Sequence, residues 1–483
     1  MSYWQLLDFI SFILLVFVGW QILQSTLFWL FIWQLKEYRV DRLRAHFSLA
    51  VGKKQIFKFL NIFSFREWRL PRPSLRIILA FLLSVFLNYN LYFFFLRLSS
   101  FFVRKYPNFL FASFTFVLVL VFLLLPLTVG LINLVFSLML RPIKELIIYL
   151  ARIKVKSLKP LVIGITGSFA KTSTKLILGQ VLSVKFNVLV TPKSVNTPLG
   201  VAKTIITKLK KTHDIFIVEM GAYRVGEIEK LCWLTGPKIG ILTGIGDQHQ
   251  ALFGSFQKIK KAKYELIKSL PKNGLAVFNF KNSTARGLGK ITKRVAVKFY
   301  GKEREKYKTK LLGKFQQVNI DCARVIGLFL KIPLKDILEK VSQLEPRKGM
   351  FQKKEGIWGC MVLDDSFNAN HQGFLVALDT LAKFASKKKI LITPGIIELG
   401  KKSEKVHQSL AQKAGRIADL IILTDENFYQ SFKKGLGGKN LDKLHLVREK
   451  ADLNKVVKKH LDKKTVILLE GRVPRYIKNA VLL

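Results

Sequence analysis

Acidic residues are scarce in this chain: 31 Asp and Glu stand against 80 Lys and Arg in 483 residues, a formal net charge of +49. Such a balance favours anionic partners, either a membrane surface or an anionic substrate, although a generally lysine-rich proteome produces the same excess. Nucleic acid is the other usual partner of so basic a chain, but no stretch interleaves aromatic and basic residues as a nucleic-acid binder would, so none is expected. Cysteine is nearly absent too. Cys232, Cys322 and Cys360 form no CxxC pair, which excludes a four-cysteine zinc site and argues against a disulfide framework. A reducing cytoplasm fits that usage. There is no internal repeat and no low-complexity tract.

Long apolar runs are missing from most of the chain and crowd into its first 140 residues. Phe9–Gln34, Ile77–Leu96 and Tyr106–Leu140 hold no charged side chain. About 20 apolar residues span a bilayer as a helix, so the first two runs each fit one span. The third fits one tilted span with an interfacial turn, kinked at Pro126, or two short spans broken there. Between the first two runs lie eleven Lys and Arg; between the second and third lie Arg97, Arg104 and Lys105. The excess of positive charge places the first loop in the cytoplasm. Three spans then put everything after Arg141 inside, whereas four would put it outside, away from ATP. Three are therefore expected. The first run lacks a basic leader and is too long for a cleaved signal peptide. Within the first loop, residues 53–60 mix basic and apolar side chains and could lie on the anionic inner leaflet, or be an ordinary juxtamembrane loop.

After Pro160 short apolar runs alternate with helical patterns. The runs Leu161–Thr166, Asn187–Thr191, Asp214–Met220, Ile239–Ile245 and Leu275–Phe280 are followed by a second series, Met361–Asp365, Ile390–Thr393, Leu420–Thr424 and Val466–Leu469. This is the spacing of βαβ units and mostly parallel sheets. A break at 344–349 separates the series. The expected architecture is α/β: membrane helices over 1–150, a nucleotide-binding parallel-sheet domain over 158–343 and a Rossmann-like domain over 344–483.

The first run leads into Gly164-Ile-Thr-Gly-Ser-Phe-Ala-Lys-Thr-Ser-Thr174 and then a helical pattern. A strand, a loop of small residues, Lys-Thr and a helix make a phosphate cradle, in which backbone N–H groups and the helix N-terminus hold the phosphates. The candidate ATP-binding residues are Gly164, Thr166, Gly167, Ser168, Phe169, Ala170, Lys171, Thr172 and Ser173. Lys171 would reach the β- and γ-phosphates, and Thr172 or Ser173 would offer a hydroxyl to Mg²⁺. Ala170 stands where glycine is usual.

Four further segments accompany this loop: Thr191-Pro-Lys-Ser-Val-Asn-Thr-Pro-Leu-Gly200; Val218-Glu-Met-Gly-Ala-Tyr-Arg-Val-Gly-Glu-Ile228; Leu242-Thr-Gly-Ile-Gly-Asp-Gln-His249 with Phe253-Gly-Ser255 and Ala262-Lys-Tyr-Glu265; and Leu363-Asp-Asp-Ser-Phe-Asn-Ala-Asn370. In this order they resemble the Mur ligases from about Leu158 onward, and the last string looks most like the MurF type, which adds D-alanyl-D-alanine. The resemblance implies that ATP phosphorylates a muropeptide carboxylate to an acyl phosphate, which the amine of D-Ala-D-Ala then attacks. It implies that Glu219 and His249 serve magnesium, and that Lys263 is the carbamylated lysine that bridges metals. With Lys171 these form the implied catalytic set, and Thr172, Glu219, His249 and Lys263 the implied metal set. It also implies that Asn196, Thr197, Asn368 and Asn370 contact substrate, that Asn319 contacts adenine, and that Asp365 contacts ribose or substrate.

The chain departs from the family's pattern at Gly244 (usually asparagine), Phe367 (tyrosine), His371 (proline) and Met350 (arginine), and the segment Thr393–Gly400 lacks an acid before its Glu-Leu-Gly. At the front, a membrane segment stands in place of the domain that grips the uridine nucleotide in MurF-type enzymes. The resemblance is therefore silent on whether the acceptor is nucleotide-linked or lipid-linked. Two other readings compete: a different amide ligase of the superfamily, and a non-catalytic ATP-binding scaffold of wall synthesis. The second is disfavoured, since a scaffold has no need of Lys171, Glu219, His249 and Lys263. The expected location is the inner cell membrane, multi-pass, with the catalytic part cytoplasmic.

Overall fold

The computed structural model describes residues 3–47, 70–106, 110–246, 253–302, 307–346, 351–367, 369–397, 399, 402–457 and 460–482. Two compact units divide the chain, Met1–Leu146 and Ile147–Leu483.

The first unit is helical. Its described helices are α1 (Tyr3–Leu35), α2 (Val40–Phe47), α3 (Leu75–Lys105) and α4 (Leu110–Met139), followed by α5 (Arg141–Leu158), which contains the boundary. Val18, Ile22, Leu30, Trp33, Ala80, Tyr92, Val121 and Leu125 interlock as its core. Phe86, Phe94, Leu123, Leu127 and Leu131 point outward and are exposed. An apolar exterior around a packed interior is what a lipid-facing bundle requires. Three stretches, Val16–Leu35, Leu75–Phe101 and Thr115–Leu158, are helical, long and apolar enough to cross a membrane. Pro126 sits inside α4, which continues through it, so the helix is not broken into two. Some polar side chains inside pair across helices: Asn88 Nδ2 donates to Thr128 Oγ1 at 2.9 Å, and Arg76 Nη2 donates to Ser137 Oγ at 2.8 Å. The basic segment 53–60 lies outside the described residues.

The second unit is α/β. In chain order it runs β1 (Leu161–Thr166), α6 (Lys171–Leu182), β2 (Val188–Val190), α7 (Pro198–Lys208), β3 (Ile215–Glu219), α8 (Glu227–Thr235), β4 (Ile239–Leu242), α9 (Phe256–Lys268), β5 (Leu275–Asn279), α10 (Ser283–Ile291), β6 (Ala296–Tyr300), α11 (Lys314–Phe329) and α12 (Leu334–Ser342). It continues through β7 (Gln352–Glu355), β8 (Met361–Asp365), α13 (His371–Ala382), β9 (Lys388–Thr393), α14 (Ser403–Ile417), β10 (Leu420–Leu423), α15 (Tyr429–Leu436), β11 (Leu444–Leu446), α16 (Lys450–Val457), β12 (Thr465–Glu470) and α17 (Arg475–Val481). The first sheet has the order β2-β3-β1-β4-β5-β6 and is parallel throughout. The second has the order β11-β10-β9-β12-β8-β7, with only β7 antiparallel.

Both faces of each sheet are covered, which is why the central strands are continuous apolar runs. One face of the first sheet packs on Val155, Val201, Ile228 and Leu266 from α5, α7, α8 and α9; the other packs on Leu178, Ile326 and Ile337 from α6, α11 and α12. The nine strands expected from sequence are present, with ends shifted by up to three residues. Three others were not foreseen: β6, β7 and β11. Each is an edge strand. An edge is covered less and tolerates charge, so Ala-Val-Lys-Phe-Tyr and Gln-Lys-Lys-Glu carry no buried-strand signal.

Candidate active site

Parallel strands deliver their C-terminal ends to one edge of the sheet, where the following loops meet. In the first sheet β1 and β3 are neighbours, with Ile165 in register with Glu219. This brings the loop after β1 beside the last residue of β3. That loop runs from Gly167 to Ala170 and enters α6 at Lys171. It is latched to the loop after β4: Ser168 N donates to Gly244 O at 2.8 Å, and Thr243 Oγ1 donates to Phe169 O at 2.6 Å. Gly167 has φ +153, and a Cβ there would lie 2.1 Å from Thr243 Oγ1, so only glycine fits.

Two departures from the family pattern acquire physical explanations. Ala170 adopts a left-handed conformation, φ 59 and ψ 0. Glycine is usual there because of backbone geometry, and alanine holds the same turn at a cost of about 1 kcal/mol. Gly244 has φ +155, and a Cβ there would fall 2.4 Å from Cζ of Phe169. The Phe169 ring occupies the space that a side chain at 244 would need, so the large residue and the missing one compensate each other.

Lys171 Nζ donates to Gly167 O at 2.7 Å, folding back across the loop. Burial lowers its pKa, and the Glu219 carboxylate partly offsets this. Glu219 is buried at the end of β3. Its Oε2 accepts from Thr172 Oγ1 at 2.9 Å and from Lys175 Nζ at 3.0 Å, and its Oε1 accepts from Asn196 Nδ2 at 3.2 Å. Asn196 is further fixed by its carbonyl, which accepts from Gly221 N at 3.0 Å. Lys263 is buried on α9, with its pKa pulled down to about 7, first by burial and then by the Lys171 cation. Two carboxylates quoted with the motifs are structural: Glu265 accepts from Gly226 N at 2.6 Å and Glu229 N at 3.1 Å, and Glu227 accepts from Tyr223 N at 2.7 Å. They fix the entry of α8, where orphan N–H groups need acceptors.

The structure thus brings together Lys171, Thr172, Glu219 and Asn196, with Lys263 in electrostatic range. Thr197 is exposed at the start of α7, and Ser173 lies in the first turn of α6. Gly164 lies within β1, and its missing side chain makes room for Leu266 and Met220. Thr166 is buried and donates to Met220 O at 2.9 Å. Asn319 is buried on α11, accepting from Thr174 Oγ1 at 3.2 Å and donating to Gln316 Oε1 at 3.1 Å. Asp365 ends β8 in register with Glu470 of β12. Burial, aided by the Asp364 charge, pushes Asp365 up to about 7 against the hydrogen bond with Glu470, and burial and the Asp365 carboxyl raise Glu470. Asn370 caps α13 through Gly373 N at 2.9 Å. His249 and Asn368 lie outside the described residues.

Sequence reasoning missed Lys175, which lies one helical turn beyond Lys171 and so on the same face of α6. That spacing was the available signal, but among 80 Lys and Arg it does not stand out.

Magnesium takes oxygen ligands and prefers one or two carboxylates supplemented by substrate phosphates. Glu219 and the Thr172 hydroxyl beside a phosphate-type loop fit that ion. Among the described residues no three His, Cys, Asp or Glu converge, so a cage built wholly of protein ligands is not what they form.

Residues 165–335 match the Mur ligase middle domain, and residues 350–473 match the Mur ligase, glutamate ligase domain. Together they take up more than half of the chain, which over these residues belongs to the Mur ligase family. Among curated relatives, the UDP-N-acetylmuramoyl-tripeptide--D-alanyl-D-alanine ligase of Synechocystis sp. is 28% identical over 305 residues, covering 57% of this chain and 64% of that protein. The ligase of the same name from Escherichia coli is 26% identical over 315 residues, covering 59% and 69%. The chain thus spans about two thirds of these relatives. Among solved structures, the MurF ligase from Thermotoga maritima in complex with ADP superposes with a TM-score of 0.61 at 24% identity, covering 69% of this chain and 82% of that one. MurF from Acinetobacter baumannii gives 0.62 at 22%, covering 70% and 80%. These likenesses establish the two-domain fold.

Proposed function

We propose that this chain is an ATP-dependent amide ligase of cell-wall precursor synthesis, joining a muropeptide carboxylate to D-Ala-D-Ala. The observation that carries this reading is the cluster of Lys171, Thr172, Glu219 and Asn196 at the strand ends of a Mur ligase middle domain. A carboxylate oxygen of the acceptor attacks the γ-phosphorus of ATP, and ADP leaves with the bridging oxygen. The amine nitrogen then attacks the acyl carbon; phosphate leaves, and the nitrogen gives up a proton. Both steps bring electron-rich groups together, so cations must screen them.

Lys171 turns from Gly167 O toward the transferred phosphate. The N-terminus of α6 holds the phosphates, while Asn196 and Thr197 line the acceptor side. Magnesium, held by Thr172, Glu219 and His249, supplies charge neutralisation at the phosphates. Lys263, an amine kept readily neutral by burial, is suited to react with CO₂ as the carbamate that completes the metal set. Asn319 and Asp365 serve the nucleotide, and Asn368 and Asn370 the substrate. The domains are 1–150, 158–343 and 344–483. The first is a multi-pass anchor in the inner cell membrane, supported by its three long apolar helices, with the catalytic part in the cytoplasm. The acceptor is nucleotide- or lipid-linked.

The test is phosphate release by the detergent-solubilised full chain with ATP, Mg²⁺, D-Ala-D-Ala and either form of the muropeptide. Release that needs both substrates, and that Lys171→Ala abolishes in a folded protein, is expected. Release indifferent to the amine, or none with either acceptor, rejects the reading.

A further inference from the structure

Lys175 is fully buried, and its ammonium donates to Glu219 Oε2 at 3.0 Å and to Lys193 O at 2.5 Å. The first is the carboxylate assigned above to magnesium. The second opens the loop that carries Asn196, whose amide holds the other Glu219 oxygen. An ammonium and a carboxylate buried together compensate each other, and either left alone is an uncompensated charge in a poorly solvating interior. A divalent cation that binds Glu219 therefore meets a carboxylate already neutralised, with a positive charge 3.0 Å from one of its oxygens.

We propose that Lys175 is a built-in counter-ion that competes with the divalent metal for Glu219, so that the metal binds weakly alone and well only with nucleotide phosphates. This rests on the reading of Glu219 as a metal ligand. The triphosphate supplies the negative charge that lets a dication and an ammonium share one neighbourhood. Because Lys175 also holds Lys193 O, the contest at Glu219 is felt in the loop that presents Asn196 and Thr197. Metal loading and the acceptor side are thus mechanically joined.

The experiment uses the full chain in detergent, without nucleotide, and follows its thermal unfolding midpoint as Mg²⁺ is titrated. Lys175→Met removes the competing charge at similar volume. Lys175→Gln keeps a donor for Lys193 O without the charge, which separates charge from hydrogen bonding. Both variants are expected to bind Mg²⁺ about ten-fold more tightly or better than the parent, since a unit charge a few ångströms from the ion is removed. Lys175→Met combined with Glu219→Gln should lose the Mg²⁺ response. A purely structural Lys175 would lower the midpoint equally at every Mg²⁺ concentration, and that result overturns the proposal. Glu219→Gln alone tests the underlying reading. If it leaves Mg²⁺-dependent ADP binding unchanged, Glu219 is not a ligand. If it weakens that binding while Lys175→Met and Lys175→Gln respond to Mg²⁺ like the parent, the competition fails and the ligand assignment stands.

Discussion

Acidification should loosen the second sheet through His407. This histidine is completely buried on α14, stacked on Phe428 with ring centroids 4.1 Å apart. Its Nε2 accepts from Ile396 N at 3.0 Å, and its Nδ1 lies 2.7 Å from Ser403 O, so the neutral ring donates at one nitrogen and accepts at the other. Protonation would put a hydrogen on Nε2 against the Ile396 N–H. Burial accordingly pulls the pKa from 6.5 down to about 4, against the opposing pull of Ser403 O and Asp425, while His371 adds to the lowering. The unfolded chain binds this proton below about pH 6.5 and the folded chain only near pH 4, so the stability held at neutral pH is lost as pH falls through that window. The full shift corresponds to about 3 kcal/mol, of which about 2 kcal/mol is gone by about pH 5. Hydrogen–deuterium exchange of β9 and α14 in the full chain reports it, comparing the parent with His407→Gln near neutral pH and near about pH 5. Intrinsic exchange rates and the Asp365–Glu470 pair act alike in both proteins and cancel in the difference. The variant should gain on the parent by about 2 kcal/mol, some 30-fold in exchange rate, on acidification. A difference independent of pH would refute the argument.

Ala170→Gly should relieve the left-handed strain at the head of α6 and raise stability by about 1 kcal/mol in urea unfolding; no gain would mean that the loop does not hold that conformation in solution. Lys263→Ala should lose ligase turnover and regain part of it with added short carboxylates; full turnover without them would remove the carbamate from the mechanism. Cysteine labelling in sealed cells should find Arg39–Arg72 and the C-terminal residues on the same, protected side and Arg97–Lys105 on the other. External labelling of the C-terminus would overturn the three-span arrangement and, with it, access to cytoplasmic ATP.

The central strands were legible in the sequence because burial on both faces leaves no choice but unbroken apolar runs, as in Leu161–Thr166 and Ile215–Glu219. The phosphate loop was legible because its chemistry is local: strand, turn, Lys-Thr and helix lie within one stretch of chain. The apolar helices of the first unit were legible from length and charge alone. Tertiary structure decided what depends on residues far apart in sequence. Only the pairing order shows that β6, β7 and β11 are edges, and their exposure is what erased the buried pattern. Only the approach of the loop after β4 shows that Phe169 fills the space left by Gly244. Gly164 reads as part of a loop motif until β1 places it against Leu266, and only the fold shows that the Asn370 side chain also caps a helix through Gly373 N. Lys175 is the sharpest case. A lysine in so basic a chain has no distinguishing sequence context, and its meaning comes from a carboxylate 44 positions away that the register of β1 on β3 carries to its ammonium. A sequence states the contacts a residue can make with its neighbours along the chain; which distant charge it must neutralise is fixed only when the sheet aligns its strands.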